Sequence, residues 1–112
     1  MKQQFVILDK RLVMATYFHG GPELITGLLD KGTCVTSEKG NAAKFARRYS
    51  RGKDCYIYVL ELDPTRDLEL SRDSTGVIDK KLASAMPFTE RILVTDKLIA
   101  ECKAQSKAND LI

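Results

Sequence analysis

The chain has 112 residues, of which 44% are hydrophobic and 29% charged, and its formal net charge is +3. This length suits one domain with one packed core, and so small a net charge does not by itself predict binding to nucleic acid. No apolar run reaches the roughly 20 residues that span a bilayer, and the first residues do not resemble a signal peptide. We therefore expect a single domain over residues 1–112 without a membrane partner.

The three cysteines favour neither a disulfide framework nor a structural metal. Cys34, Cys55 and Cys102 are odd in number, far apart in the sequence and without CxxC spacing. Disulfide-rich and zinc-stabilised domains need paired or closely spaced ligands. We therefore expect a reducing, cytoplasmic environment and no structural metal.

The first half of the chain predicts short strands and two short helices. Apolar runs predict three strands, over residues 5–8, 12–18 and 33–36. Pro22 suits the first turn of a helix, and the apolar positions after it have helical spacing until Gly32 ends the pattern. Asn41 is a suitable N-cap for a second helix over residues 42–49.

The second half is richer in strand signals. Residues 55–62 form the strongest one, which Pro64 closes, and we expect this strand to be central. Two more strands are predicted, over residues 67–70 and 89–94. Between these two strands the composition favours a loop over residues 71–76 and then a weak helix over residues 77–85. Near the C-terminus, residues 98–102 are ambiguous between strand and helix. Residues 106–112 are expected to form a loose tail. The pattern predicts an α+β domain.

The single histidine, His19, follows an apolar run and precedes Gly20 and Gly21. Adjacent glycines let a backbone approach a ligand closely, and an imidazole makes one directed hydrogen bond. The same pattern is also typical of a plain turn at the end of an edge strand, so both interpretations stay open.

Three further segments follow in order. The first is Gly32-Thr33-Cys34-Val35-Thr36, the second is Asn41-Ala42-Ala43-Lys44-Phe45, and after the strong strand Glu90 opens the last one. In the predicted helix, Phe45 and Tyr49 lie on one face at positions i and i+4.

This order of motifs resembles the ADP-ribosyltransferase fold, and in particular its His-Tyr-Glu branch of diphtheria-toxin-type and poly-ADP-ribose-polymerase-type catalytic domains. The resemblance covers roughly residues 16–94. It implies an α+β fold with a split β-sheet core and short flanking helices, and NAD as the substrate. It also implies an NAD-dependent mono-ADP-ribosyltransferase, a small effector that modifies a protein acceptor or, less expectedly, a nucleic acid.

The resemblance implies a role for each matched position. His19 would hydrogen-bond the adenine-side ribose of NAD, and the backbone of Gly20 would hold the nicotinamide carboxamide. Phe45 would stack on the nicotinamide ring, and Glu90 would stabilise the oxocarbenium-like transition state. The other positions matched to cofactor binding are Cys34, Thr36 and Tyr49.

One position departs from the family pattern. Cys34 stands where the branch has its first tyrosine, and Tyr17 or Tyr49 could supply the missing ring. The departure leaves two alternatives open: a binding or inhibitor module that keeps the fold without catalysis, and an NAD glycohydrolase with water as the acceptor. Glu90 could also be a solvated carboxylate, and Cys34 a nucleophile with His19 as its base.

Three other features have more than one interpretation. A basic cluster could be a solvated helix face or could bind the NAD pyrophosphate, an acidic protein or nucleic acid; its members are Lys44, Arg47, Arg48, Arg51 and Lys53. Glu61 and Asp63 share a strand face and could bind a cation, but no third ligand is apparent. The loop over residues 84–89 is our candidate for the segment that selects the acceptor.

Overall fold

A computed structural model describes the backbone of residues 14–72 and 74–110, and the side chains of this range through residue 105. The strand predicted over residues 5–8 lies outside the described residues. The described chain forms a mixed α+β fold, as the sequence predicts. Its elements are β1 (Ala15–Gly21), β2 (Leu28–Leu29), β3 (Cys34–Val35), α1 (Lys39–Ser50), β4 (Tyr56–Leu62), β5 (Leu68–Arg72), β6 (Ile78–Leu82), β7 (Met86–Pro87), β8 (Glu90–Leu93) and α2 (Asp96–Asp110).

The strands form two three-stranded antiparallel sheets and one short pair. The sheet orders are β1-β4-β8 and β3-β6-β5, and β2 pairs with β7. The two larger sheets meet where Phe18 and Thr36 exchange both backbone hydrogen bonds, at 2.7 and 2.9 Å. The prediction that the strand over residues 55–62 is central is confirmed, because β4 lies between β1 and β8.

The first sheet is covered on both faces, since successive side chains of a strand point to opposite sides. One face carries the fully buried Tyr58 and Leu60 of β4, which pack with buried residues of the other sheets, Leu29, Val35 and Leu82. The opposite face carries Ile57, which packs against small residues of α1, Ala42, Ala43 and Ala46. The alanines let α1 lie close to the sheet.

The helix predicted after Pro22 is wrong. Residues 22–27 form an irregular segment, and β2 then pairs with β7. Gly27 has a φ of 88°, which a right-handed helix does not contain. Hydrogen bonds between the buried Tyr58 hydroxyl and this segment hold it in an irregular conformation, in place of the helix that its apolar spacing predicts.

The helix predicted over residues 77–85 is also wrong. This segment contains β6, which pairs with β3 on one side and β5 on the other. Both backbone edges of β6 are therefore used in the sheet, and this tertiary pairing overrides a weak local helix signal. The loop predicted over residues 71–76 is shorter than expected, because β5 continues to Arg72.

The ends of several elements differ from the predictions. β1 continues through His19 to Gly21, rather than ending at Phe18. Helix α1 starts at Lys39, so Asn41 is inside it; the N-cap position belongs to Glu38, which makes no side-chain capping bond. The ambiguous segment over residues 98–102 is helical, and α2 continues to Asp110, into the segment over residues 106–112 that the sequence predicts to be a loose tail.

Candidate functional site

Two adjoining cavities lie between the end of β1 and helix α1, with volumes of about 440 and 340 Å³. Both volumes fall in the range of roughly 300–1,000 Å³ typical of small-molecule sites. His19, Gly20 and Phe45 line both of them. We call the two together the β1 groove. Its larger compartment is also lined by Cys34, Thr36, Asn41, Asp79 and Lys80, and its smaller one by Pro22, Glu23, Ile25 and Tyr49.

Gly20 is required by the packing of α1 on β1. A Cβ atom built on Gly20 would lie 1.9 Å from the carbonyl oxygen of Ala42. Real Cβ atoms do not approach a backbone oxygen so closely, and this oxygen belongs to a rigid helix. Because Gly20 has no side chain, α1 can lie this close to β1, and this close packing forms the wall of the groove.

Gly20 also presents free backbone groups at the groove. The N–H and C=O of Phe18 pair with Thr36, and alternate residues of a strand direct these groups to the same edge. Those of Gly20 therefore point to the same side, beyond the point where pairing with Thr36 ends. Within residues 14–72 and 74–110, no hydrogen-bond partner is found for either group. One donor and one acceptor are thus available side by side.

His19 is held in one orientation by backbone contact. Its Nδ1 lies 2.8 Å from the carbonyl oxygen of Cys34. A carbonyl can only accept, so Nδ1 carries the proton and donates it, and Nε2 of the neutral ring is an acceptor. The Nε2 atom lies beside Gly21, where a Cβ would be 3.3 Å away. A hydroxyl group in the groove could donate to this nitrogen.

Two exposed aromatic rings stand along α1. Phe45 and Tyr49 are 46% and 53% exposed, and their ring centroids lie 4.8 Å apart at 52°. Tyr17, by contrast, is 7% exposed and lines neither compartment. Of the two rings expected to compensate for Cys34, only Tyr49 is therefore at the groove.

Tyr58 supports the smaller compartment, and the sequence analysis missed it. Its buried hydroxyl donates to the carbonyl oxygen of Glu23 and accepts from the N–H of Ile25, both at 2.7 Å. These bonds hold the segment that lines the compartment. A tyrosine in a buried strand usually has a hydroxyl partner, and this was the signal available in the sequence.

Strand β6 contributes charged groups that the sequence analysis also missed. Asp79 and Lys80 line the larger compartment, and the Nζ of Lys80 lies 5.4 Å from the centroid of the Tyr17 ring. Residues 79–81 are all charged between Ile78 and Leu82, so this segment lacks the alternation of apolar and polar residues that predicts a strand.

Glu90 lies outside the groove. It opens β8 opposite Val59, which is itself opposite Phe18, so one strand separates Glu90 from β1. At about 4.8 Å per strand, the backbones of Glu90 and Phe18 are about 10 Å apart. Glu90 is exposed, and in the part of the chain that the structure describes its carboxylate has no hydrogen bond or ion pair. The carboxylates that do line the groove belong to Glu23 and Asp79.

The segment expected to select the acceptor, residues 84–89, is partly attached to the core. Met86 pairs with Leu29, and Phe88 packs edge-on against Tyr58 at a centroid distance of 4.8 Å. Both Met86 and Phe88 are half-buried, and the other four residues of the segment are exposed.

The carboxylates considered for a cation have protein partners. Glu61 accepts a 2.7 Å hydrogen bond from Thr16, and Asp63 accepts from the hydroxyl and the N–H of Thr65 at 2.7 and 2.9 Å. The hydrogen bond from the Thr65 hydroxyl and then that from its backbone lower the pKa of Asp63. No group of three potential metal ligands occurs among the described residues.

Comparison of the chain with family models, curated proteins and solved structures gives no match. In the described residues, neither helix combines the length and the apolar character needed to cross a membrane. The functional argument therefore depends on the groove itself.

Proposed function

We propose that this chain is an NAD-dependent mono-ADP-ribosyltransferase of the His-Tyr-Glu branch, acting on a protein or nucleic-acid acceptor. The single observation that carries the proposal is the N–H and C=O of Gly20, which have no partner among the described residues and lie in the groove that Phe45 also lines. The two three-stranded sheets, which in residues 14–72 and 74–110 are bridged at Phe18 and Thr36 alone, support a split-sheet core of the transferase type.

The free groups of Gly20 match a carboxamide. The N–H would donate to the carboxamide oxygen of nicotinamide, and the C=O would accept from its amide N–H. Phe45 offers a flat, half-exposed face to the nicotinamide ring, a contact worth on the order of 1 kcal/mol. The acceptor nitrogen of His19 suits a ribose hydroxyl, and two adjoining compartments suit the two halves of a dinucleotide.

The proposed reaction breaks the bond between nicotinamide nitrogen and ribose carbon. The bonding electrons leave with nicotinamide, positive charge develops on the sugar, and the acceptor nucleophile bonds to that carbon and loses a proton. A fixed carboxylate stabilises this charge more in the transition state than in the ground state. In our proposal Glu90 supplies it, when the bound substrate extends across β4 from the groove.

A second candidate is a binding or inhibitor module that keeps the fold and does not catalyse. The observation that favours it is the position of Glu90 about 10 Å across the sheet from β1. Cys34 in place of the expected tyrosine adds to it, because one wall of the nicotinamide site then lacks a ring.

Binding of NAD tests the groove separately from catalysis. We expect Phe45→Ala to weaken NAD binding about fivefold or more in a calorimetric titration, as loss of about 1 kcal/mol of stacking requires. Leu93→Ala is the matched control, because Leu93 is equally exposed at 46% but lies on β8. Equal affinity of the Phe45 variant and the parent protein would contradict the groove as the nicotinamide site.

Catalysis is tested with labelled NAD and a cell lysate, following nicotinamide release and label on macromolecules. We expect Glu90→Gln to lower the labelling rate about 100-fold or more, the size of effect seen on removing one charge-stabilising group. The variants Asp79→Asn and Glu23→Gln are the controls for the carboxylates that line the groove.

The outcomes separate the candidates. Nicotinamide release without label would indicate NAD hydrolysis, and NAD binding without turnover would indicate the binding module. Loss of activity in Asp79→Asn with full activity in Glu90→Gln would contradict the assignment of Glu90. Absence of NAD binding would overturn the transferase proposal.

A further inference from the structure

Helix α1 and the turn after it concentrate the basic charge of the protein. The sequence from residue 39 to residue 53 contains six lysines and arginines and no acidic residue. Because the net charge of the whole chain is only +3, the remainder is net acidic. The positive potential is therefore concentrated on one element. A local basic patch of this kind is typical of surfaces that bind nucleic acid.

Three of these cations form a row on the exposed side of α1. Lys44 and Arg48 are one turn apart, and Arg51, at the C-cap with a φ of 52°, continues the same side. At 1.5 Å per residue the row extends over about 10 Å. All three residues are exposed, and none has an ion-pair partner in the described part of the chain.

Arg47 differs from this row because it is already paired. Its Nη1 lies 2.8 Å from an Oδ1 of Asp96 on α2, and this hydrogen bond raises the pKa of the guanidinium. The contact joins the two helices. Arg47 therefore already has an acidic partner, whereas the row beside it has none among the described residues.

The exposed rings of Phe45 and Tyr49 lie next to this row on the same helix. Each ring follows one basic residue directly in sequence, and the two rings contact each other. Cations that bind phosphates next to exposed rings that stack on bases are the combination found in proteins that bind single strands. An acidic protein would need the cations alone, and a duplex does not offer its base faces for stacking.

We propose that this face of α1, defined by Lys44, Phe45, Arg48, Tyr49 and Arg51, binds single-stranded nucleic acid. Lys44, Arg48 and Arg51 contact the phosphates, and Tyr49, the more exposed ring, stacks on a base. The binding does not depend on the proposed transferase activity. If that activity holds, the same contact brings a nucleic-acid acceptor beside the β1 groove.

The test is fluorescence anisotropy of the full chain with labelled 12-nucleotide single strands of DNA and RNA, without NAD. A duplex of the same sequence and a polyglutamate peptide serve as the alternative ligands. If three cations contact phosphates, a plot of log Kd against log salt concentration should have a slope of about 2. Arg48→Gln removes one of these contacts and should lower the slope by about 0.7. Tyr49→Leu should weaken single-strand binding about fivefold or more with little change in slope.

Lys103→Gln is the matched control, because Lys103 is an exposed lysine on α2. Circular dichroism and thermal melting of each variant separate loss of binding from loss of fold. Preference for the single strand, reduced by Arg48→Gln and Tyr49→Leu but not by Lys103→Gln, supports the proposal. Absence of single-strand binding at 50 mM salt, equal or tighter binding of the duplex or polyglutamate, or an equal effect of Lys103→Gln would overturn it.

Discussion

The end of β1 and the start of β8 both carry residues of the same predicted motif, but they are built differently. At the end of β1, Gly20 meets the backbone of α1 so closely that no side chain fits. At the start of β8, Glu90 is exposed and its carboxylate has no hydrogen bond or ion pair among the described residues. Packing thus determines which residue stands at position 20, whereas no packing contact in the described part of the chain determines the residue at position 90.

This difference matters for how a sequence motif is interpreted. Gly20 would be needed for the fold even in a protein that binds nothing, so its presence alone does not demonstrate function. The functional observation is that its N–H and C=O have no partner among the described residues, because packing does not require them to be free. The carboxylate of Glu90 is exposed and has no partner among the described residues, so Glu90→Gln should affect activity without affecting stability.

The largest expected effect on stability comes from the close contact at Gly20. Gly20→Ala should lower the free energy of unfolding by about 3 kcal/mol or more, because its Cβ would meet a helix backbone that cannot yield locally. Gly21→Ala is the matched control, since its Cβ would meet only the His19 side chain, at 3.3 Å. We expect that variant to change the free energy by about 1 kcal/mol or less. Urea unfolding of both proteins measures the difference, and equal losses would contradict the packing argument.

A smaller effect is expected from Tyr58→Phe. The change removes a buried hydroxyl and leaves the carbonyl of Glu23 and the N–H of Ile25 without their partner, at a cost of about 1–3 kcal/mol. Faster hydrogen exchange of the Ile25 amide would locate the loss in the wall of the smaller compartment. Tyr56→Phe is the control, because the hydroxyl of Tyr56 makes no hydrogen bond within the described residues. An unchanged exchange rate in the Tyr58 variant would show that other contacts hold this wall.

The smallest expected effect on stability is that of Glu90→Gln. An exposed carboxylate without partners should change the free energy of unfolding by less than about 0.5 kcal/mol. The same urea measurement applies, and the variant is therefore suitable for the activity test above. A loss of more than 1 kcal/mol would reveal a structural role and remove the contrast with Gly20.

The sequence was sufficient for elements with a strong local signal. The central position of β4 followed from its β-rich run and the closing Pro64. Helix α1 was predicted from Asn41 as its N-cap, and it forms there although it begins earlier, at Lys39. The larger compartment is lined by five of the residues predicted to contact the cofactor: His19, Gly20, Cys34, Thr36 and Phe45. The sixth, Tyr49, lines the smaller compartment. Whether any of them contacts NAD remains a prediction.

The failures have a common physical reason. Residues 22–29 and 77–85 have helix-like local patterns, but Tyr58 holds the first segment and two neighbouring strands hold the second. Such contacts join residues more than 30 positions apart in the first case. Local propensity contains no information about them.

The sequence by itself determined the mixed α+β class, the central strand, and the order of the aromatic, histidine and glycine residues that form the groove. Only the tertiary structure decided that, among the described residues, the N–H and C=O of Gly20 have no partner, and that β6 lines the groove. It alone also decided that Glu90 lies across β4 from β1. Spacing along a strand follows from the sequence, because it depends on neighbouring residues. Which strands become neighbours depends on the burial of the whole core, and that sets the distance between one motif and the next.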